Sequence, residues 1–415
     1  MQLEDIIRSV EDRTDDAVSK MCGMISIPAI APVNGGSGEC ARADFIQNYL
    51  TGFDTVERYD TEDPEYPGTM RANIVARKKG KKKGTVWFVT HMDTVPPGDL
   101  DDWENPPFQP VVKDGRIYGR GTEDNGQSLI GVAVASNVIT KLPFEGMSLG
   151  VAFVGDEESG SVCGVRHLID SGVFSKDDFI IVPDWGAPGG AMVDVSEKQI
   201  MWVKVAVTGK QTHGSTPDKG INAYRASIEF MSDLLSRLEQ RYPDSDPIFR
   251  PDRSTFEPTK ASANCGSVNM IPGYYEMYMD CRVILKYDIR EIFSFMESVA
   301  KEHSERTGAK FELTLVQGAV SGKKSDTDTE GYRMFAESIR QARGIDVAAV
   351  GIGGGTCANF FRLKGMNAYV WGSDGGTLHQ PNEYVVIKTM MDDAKAFAAM
   401  MYNMCVRGRS LEQTV

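Results

Sequence analysis

The sequence predicts an α/β protein, with a mainly parallel sheet flanked by helices and an inserted ferredoxin-like α+β domain. Three observations carry this prediction. Short apolar runs alternate with helical patterns from residue 70 to residue 185. Between residues 197 and 316 the order of elements becomes β-α-β-β-α-β, and afterwards the alternating pattern resumes. The sequence therefore predicts a main domain of residues 1–196 and 317–415 and an inserted domain of residues 197–316.

The elements of the main domain are predicted from the period of their apolar residues. Helical spacing indicates an N-terminal amphipathic helix within residues 1–22. The basic run 77–84 lies between strand-like segments and is interpreted as a solvated hairpin tip. The other predicted strands are 86–89, 149–154, 179–182, 348–351 and 368–371, and the other predicted helices are 128–139, 165–171 and 331–342.

The inserted domain begins where the apolar residues start to alternate, as in a strand with one exposed face. Its two helical segments separate the strands in the order expected of a ferredoxin-like unit. The predicted strands are 199–208, 261–270, 274–283 and 310–316, and the predicted helices are 222–239 and 289–302.

Composition narrows the classes of function. The 45 basic and 58 acidic residues give a net charge of −13, which disfavours a nucleic-acid-binding protein because such proteins neutralise phosphates. Seven scattered cysteines without a CxxC pair are typical of a reducing compartment. The N-terminus has no signal-peptide pattern, and no stretch approaches the roughly 20 apolar residues of a membrane span. We therefore expect a cytoplasmic protein without a membrane or nucleic-acid partner.

Two of the five histidines lie in motifs that suit a metal site. His91 and Asp93 are two residues apart at the end of an apolar run, so in an extended chain their side chains point to the same side. Asp93 would then orient the His91 ring, although such a pair also occurs as an ordinary loop contact. His379 lies far downstream, between a glycine-rich approach and a polar turn.

Carboxylates between these histidines supply further candidate ligands. Asp124 follows a glycine-containing turn before a predicted helix, and Asp184 closes a predicted strand. Glu157 and Glu158 end another strand, where one could bind a cation while the other accepts a proton from water. A helix start for Asp124 and solvation of the glutamates are the plain structural alternatives. Two histidines with three carboxylates, one of them shared, suit two zinc ions about 3.5–4 Å apart, and so indicate hydrolysis.

In their order along the chain these motifs resemble a family of co-catalytic zinc hydrolases. The family includes acetylornithine deacetylase, succinyl-diaminopimelate desuccinylase, aminoacylase, glutamate carboxypeptidase and several dipeptidases. The resemblance extends from the Ile25-Ser26-Ile27-Pro28 region to His379-Gln380-Pro381-Asn382-Glu383. It implies that the inserted domain is a lid through which the protein forms a homodimer.

The resemblance also implies the role of each candidate residue. Asp124 would bridge two zinc ions, one held with His91 and Asp184 and the other with Glu158 and His379. Cobalt or manganese could replace zinc at such ligands. The Asp124–Asn125 peptide bond would be cis. The two remaining roles fall to Glu157 as general base and Asp93 as the group that orients His91.

Substrate contacts are implied in the same way. The partner subunit's His213 would reach the oxyanion that forms on the scissile carbonyl. Arg282 would hold a substrate carboxylate in a bidentate fork, although a surface ion pair is the alternative. The glycines at 353–355 could equally form a simple turn. The implied substrate-binding residues are Asn269, Arg282, Gly354, Gly355 and Thr356.

The predicted activity is hydrolysis of the amide bond of a small N-acyl amino acid, of the deacetylase or desuccinylase type. The alternative substrate is a dipeptide, because aminopeptidase and dipeptidase branches more often carry aspartate at the position of Asp184. A non-catalytic binding protein on the same scaffold is disfavoured, since every implied ligand and Glu157 are present.

Overall fold

The computed structural model describes residues 2–262 and 266–407, and within them the chain forms two compact units. The first unit comprises the described residues up to Val195, residues 324–350 and the described residues from Thr356 onward. The second comprises residues 196–323 and 351–355. It runs past the predicted limit of the insertion at residue 316 and takes in the glycine-rich segment.

Three of the helices begin at a residue whose side chain accepts a free backbone N–H group. Asn222, Asp288 and Thr329 each accept such a bond at the start of a helix. No helix in these parts of the chain is long and apolar enough to cross a bilayer. The helices are α1 (Leu3–Glu11), α2 (Thr14–Ile25), α3 (Cys40–Gln47), α4 (Ser128–Ile139), α5 (Val165–Asp170), α6 (Ala223–Arg241), α7 (Ile289–Thr307), α8 (Glu330–Arg343), α9 (Ala358–Leu363) and α10 (Ile387–Met401).

The strands include long apolar segments that are buried along their whole length and short segments that pair within loops. They are β1 (Thr55–Arg58), β2 (Thr61–Glu62), β3 (Met70–Arg71), β4 (Ile74–Lys78), β5 (Thr85–His91), β6 (Val111–Lys113), β7 (Arg116–Tyr118), β8 (Ser148–Val154), β9 (Phe179–Val182), β10 (Met192–Glu197), β11 (Gln199–Thr208), β12 (Thr212–His213), β13 (Thr255–Ala261), β14 (Met270–Ile271), β15 (Tyr274–Val283), β16 (Lys310–Ala319), β17 (Ala348–Ile352), β18 (Ala368–Val370) and β19 (Tyr384–Val386).

The large sheet has eight strands in the order β1-β4-β8-β5-β9-β18-β10-β17. Its centre, β8-β5-β9-β18, is parallel, whereas β1, β4 and β10 pair in the antiparallel sense. One core cluster of this unit includes Trp87, Val154, Val182 and Phe361. The predicted α/β class with a mainly parallel sheet flanked by helices is confirmed, and the parallel centre aligns the carboxyl ends of its strands at one edge.

The second unit is the ferredoxin-like element predicted from the order of its strands and helices. Its sheet has the order β13-β15-β11-β16, and every neighbouring pair is antiparallel. Helices α6 and α7 pack on it around Met201, Phe230, Met279 and Met296. One face of the sheet therefore forms a core of its own.

Three local predictions are wrong. The strand predicted at 261–270 ends at Ala261 and begins at Thr255; residues 263–265 lie outside the described residues. Its true segment has few apolar residues and contains Pro258, which an edge strand tolerates. The segments flanking the basic run do not form a hairpin, because β8 lies between β4 and β5. The N-terminal helix is divided at Asp12–Arg13 into α1 and α2.

Candidate metal centre

The parallel strands bring the predicted metal ligands of the first unit to one edge of the sheet. His91 ends β5, Glu157 and Glu158 follow β8, and Asp184 follows β9. Because these three strands are parallel neighbours, their carboxyl ends lie together. His379 reaches the same edge from the loop after β18, the strand beside β9.

Asp124 lies between the two histidines, with one carboxylate oxygen toward each. Its Oδ1 is 2.9 Å from His91 Nε2, and its Oδ2 is 2.9 Å from His379 Nε2. Asp184 Oδ1 is 3.2 Å from His91 Nε2, and Glu158 Oε1 is 3.3 Å from His379 Nε2. The Asp124–Asn125 peptide bond is cis. Such an arrangement suits a carboxylate that bridges two cations.

Two triads of potential ligand atoms lie within 4.8 Å of one another: His91, Asp124 and Glu158, and His91, Glu157 and Asp184. Both contain His91, and the second contains the proposed general base, so their membership differs from the pairing implied by the resemblance. The triads are contiguous and offer nitrogen and oxygen but no sulfur. Zinc, cobalt and manganese all suit such ligands.

The charges of the centre also fit divalent cations. Burial lowers the pKa of His91, but the Asp184 and Asp124 carboxylates outweigh it and hold that pKa well above its usual range. Hydrogen bonds to Asp124 and Glu158 raise the pKa of His379 to about 10. Glu158 Oε1 is buried without a hydrogen bond of good geometry. An excess of buried carboxylates requires positive charge, which protons or metal ions would supply.

Metal binding is therefore expected to release protons. Without metal, His379 holds a proton at neutral pH because its pKa is raised to about 10, and the nearby carboxylates favour the protonated form of His91. A bound cation must displace these protons. The apparent affinity for zinc should rise with pH between about 6 and 9, by up to about tenfold per unit for each proton released. Calorimetry of the metal-free protein in buffers of different ionisation enthalpy measures this release. An affinity that stays constant across this range would contradict the assignment of the histidines.

Asp93 contacts both the His91 ring and the turn that carries the two glutamates. The His91 Nδ1 atom is 3.1 Å from the Asp93 main-chain carbonyl oxygen and 3.5 Å from its carboxylate. The carboxylate also accepts the backbone N–H groups of Glu157 and Glu158, at 3.1 and 3.0 Å. Asp93 therefore holds the turn that carries both glutamates, while its main chain contacts the His91 ring.

The backbone conformation at residues 156–158 directs the adjacent acidic side chains to different partners. Asp156 has φ of 62°, and its carboxylate turns away to Arg71 Nη1 and to the Cys163 N–H, at 3.0 and 2.8 Å. Arg71 is buried and also pairs with Glu39 and Asp63. Burial, followed by the nearby Asp184 carboxylate, raises the pKa of Glu157 well above its usual range. A raised pKa suits a carboxylate that must accept and then return a proton.

Glu123 and Glu383, which are not among the predicted site residues, form a pair that we call the reciprocal clamp. Glu383 accepts the N–H groups of Gly121, Glu123 and Asp124 at 2.8–3.0 Å, and the Arg120 guanidinium at 2.7 Å. Glu123 in turn accepts the Gly375 and Thr377 N–H groups and the Thr377 hydroxyl. Pairing of β19 with β7 brings the two segments together. The clamp thus fixes the segments that carry Asp124 and His379.

Replacing Glu383 with alanine is expected to weaken both metal binding and the fold. The change leaves buried N–H groups and Arg120 without their acceptor, which we expect to cost about 3–5 kcal/mol of unfolding free energy. Loss of a group that orients ligands should lower metal affinity by about 10- to 100-fold. Denaturant unfolding and zinc titration measure the two effects. The exposed Glu330→Ala variant is the control, and equal behaviour of the two variants would contradict the clamp.

Predicted substrate residues of the second unit form two groups. His213 Nδ1 accepts the Ser215 N–H at 3.2 Å, so a neutral ring carries its proton on Nε2. Asn269 lies beside it, because its carbonyl accepts the Gly214 N–H at 2.7 Å. Arg282 pairs in a bidentate fork with Asp280 and donates to the Gly353 carbonyl at 2.7 Å.

Nothing in the described structure requires glycine at positions 353 and 354 of the glycine-rich segment. A Cβ on Gly353 or Gly354 would meet nothing within 4 Å in the described chain, and neither residue has a positive φ. A Cβ on Gly355 would come no closer than 3.9 Å to any other described atom. Thr356 belongs to the first unit, where its buried hydroxyl accepts the Ala358 N–H at 3.1 Å. The segment thus leaves room for another molecule.

A parallel sheet that carries two histidines among buried carboxylates at its carboxyl edge defines a metallohydrolase. Residues 87–403 match the peptidase family M20/M25/M40, and the chain belongs to this family. The chain is 36% identical over 414 residues to an uncharacterised metallohydrolase of Methanococcus maripaludis, covering 92% of this chain and 98% of that protein. It is 26% identical over 333 residues to succinyl-diaminopimelate desuccinylase of Methylococcus capsulatus, covering 78% of this chain and 83% of the relative.

Solved structures share the fold. A tripeptidase of Staphylococcus aureus superposes with a TM-score of 0.74 at 20% identity, covering 93% of this chain and 97% of its own. A Bacillus subtilis protein described as a dinuclear metal-binding peptidase of the M20 family gives a TM-score of 0.63 at 15% identity, covering 94% and 97%. The predicted resemblance to the co-catalytic hydrolases is confirmed at the level of family and fold.

Proposed function

We propose that the protein hydrolyses the amide bond of a small, carboxylate-bearing amino-acid derivative with two divalent metal ions, zinc being the first choice. The observation that carries the proposal is Asp124, whose two oxygens each lie 2.9 Å from a different histidine. The proposed ligands are His91, Asp124, Glu158, Asp184 and His379. When bound, the metals would acidify a water molecule and polarise the amide carbonyl.

Glu157 is the proposed general base. It would take a proton from the attacking water and deliver it to the nitrogen of the leaving amine. The partner subunit's His213 would donate from Nε2 to the oxyanion. The Ser215 N–H that the His213 Nδ1 atom accepts supports this role, because it leaves the proton of a neutral ring on Nε2. Asn269, Arg282 and the segment from Gly354 to Thr356 would bind the substrate. For Arg282 to bind the substrate, a substrate carboxylate must share the guanidinium with Asp280 or displace Asp280 from it.

Two substrate classes fall within the proposal. The desuccinylases among the sequence relatives favour the N-acyl amino acid predicted from the sequence. The tripeptidase fold relative and the aspartate at Asp184 favour a peptide. A panel of N-succinyl and N-acetyl amino acids set against dipeptides, with zinc-loaded enzyme, separates these classes. Failure to hydrolyse any compound, with or without added zinc, cobalt or manganese, would overturn the proposed function.

A cytoplasmic homodimer joined through the second unit completes the proposal. The six described cysteines are free, as in a reducing compartment. Strand β16 lies at the edge of its sheet and exposes Leu315 and Val316 by 43% and 54%. An exposed apolar edge strand favours pairing with another chain. Light scattering after size-exclusion chromatography measures the oligomeric state. A monomeric wild-type protein would contradict the proposed dimer.

A further inference from the structure

A small cavity beside the proposed metal ligands is lined by two acidic groups that the mechanism does not use, Glu123 and Asp374. Its volume is about 20 Å³, and its walls include Glu123, Asn125, Asp184, Trp185 and Asp374. A cavity of this size holds one water molecule or a group of similar size. No lysine, arginine or histidine is among the residues that line it. The cavity thus combines negative charge with room for one small group.

Asn125 supplies an independent sign of a missing partner. Its side-chain nitrogen donates to the Pro183 carbonyl at 2.9 Å and to Asp184 Oδ1 at 2.6 Å. Because both neighbours are acceptors, the amide orientation is fixed, and Oδ1 must face the other way. The residue is 4% exposed, and its Oδ1 has no hydrogen-bond partner in the described chain. A buried acceptor of this kind calls for a donor.

Asp374 supplies charge that no cationic side chain in the described chain neutralises. One of its oxygens accepts the Gly376 N–H, and it forms no ion pair within the described residues. The Glu123 side chain lies within hydrogen-bond distance of the Asp374 carboxyl, and its other partners, backbone N–H groups and the Thr377 hydroxyl, are neutral donors. The two carboxylates together leave a negative charge that a small cation would balance.

We propose that this cavity binds the free α-ammonium group of a peptide substrate, with Asn125 Oδ1 and the Asp374 carboxylate as acceptors. The inference rests on the proposed function and names its substrate class. Asp124 and Asp184 line the cavity as well as the metal centre. A group two bonds from the scissile carbonyl carbon would therefore enter it. An ammonium supplies three donors and one positive charge, whereas a succinyl group is larger and would bring a repelled carboxylate. The preferred substrate thus becomes a peptide with a free amino terminus.

Binding to an inactive enzyme tests the cavity without catalysis. The ligands are alanyl-alanine and propionyl-alanine, which differ in that the second lacks the ammonium group. With zinc-loaded Glu157→Gln protein at pH 7, calorimetry should show alanyl-alanine binding at least about tenfold more tightly, the size of one charged hydrogen bond. This preference should shrink above about pH 8, where the peptide amine loses its proton. Equal affinity, or no binding of either ligand, would overturn the inference.

A variant of Asp374 tests whether this carboxylate causes the preference for alanyl-alanine. Asp374→Asn in the Glu157→Gln background keeps an acceptor for the Gly376 N–H but removes the charge, so the ratio of the two affinities should fall by about tenfold. Asp328→Asn is the control, because it removes a carboxylate that is 93% exposed in the same unit. A ratio that falls equally in both variants would contradict the site. The comparison of the two ligands needs no Asp374 variant, so it decides even if that variant does not fold.

Hydrolysis separates this inference from the proposed function. If alanyl-alanine binds preferentially but the wild-type enzyme cleaves neither compound, amide hydrolysis is wrong and the ammonium site stands. If both are cleaved with equal kcat/KM and bind equally, hydrolysis stands and the ammonium site is wrong. Potassium or ammonium chloride, added at constant ionic strength, tests whether a free cation can occupy the cavity. If the added cation weakens the preference for alanyl-alanine, the cavity is supported. If alanyl-alanine still binds more tightly whatever the cation, the preference arises at another site.

Discussion

Glu157→Gln is expected to lower kcat by about 10²- to 10⁴-fold while the bound metal stays at the wild-type level. The glutamine keeps the size of the side chain but has no carboxylate to accept a proton from water. The position suits the role: burial and the Asp184 carboxylate raise the pKa of Glu157, so the group takes up a proton more readily than an exposed glutamate does. Turnover of the best compound of the panel, with metal analysis of the same sample, measures both quantities.

Glu158→Gln is the matched control, because the two glutamates are neighbours held by the same Asp93 carboxylate. Glu158 is a proposed ligand, so its variant should lose metal as well as activity. The two variants therefore separate a base from a ligand. A Glu157→Gln enzyme with unchanged kcat would remove Glu157 from the mechanism, and one that loses metal would make it a ligand, as its place in a triad with His91 and Asp184 allows.

The parts of the fold that were predicted from the sequence are those in which local pattern and burial agree. Strand β9 and helix α4 have the predicted bounds, because a run of buried residues on both faces has an unmistakable apolar pattern. Strands β11 and β15 are equally clear, since they bury alternate residues. Strand β13 was misplaced by contrast, because an exposed edge strand leaves little hydrophobic signal.

The candidate site shows the same division between local and distant information. His91, Glu157 and Asp184 were found because each follows a strand end, which a sequence displays. The reciprocal clamp was not found, because Glu383 and Asp124 are 259 residues apart and their bond depends on the pairing of β19 with β7. Asp93 is predicted to contact His91, but its bonds to the Glu157 and Glu158 N–H groups have no signal in the sequence. The distance between His91 Nδ1 and each Asp93 oxygen depends on backbone geometry that residue spacing does not determine.

Asp124→Asn is expected to remove both metal ions, whereas Asp184→Asn should remove one. The two oxygens of Asp124 face different histidines at equal distances of 2.9 Å, so its loss weakens both halves of the centre. Asp184 lies near His91, and no ion pair joins it to His379 in the described chain. An amide oxygen is a weaker ligand than a carboxylate, and each change also removes one of the negative charges that favour divalent cations.

Metal analysis after equilibrium dialysis against a defined free zinc concentration measures the stoichiometry of each variant. Wild type should hold two zinc ions, Asp184→Asn about one and Asp124→Asn close to none, with activity lost in both variants. Asp328→Asn again controls for the loss of one negative charge. Equal stoichiometry for the Asp124 and Asp184 variants would mean that Asp124 does not bridge. In that case the triads that share His91 would describe the centre better than the pairing around two histidines, and His379 would be free for another role.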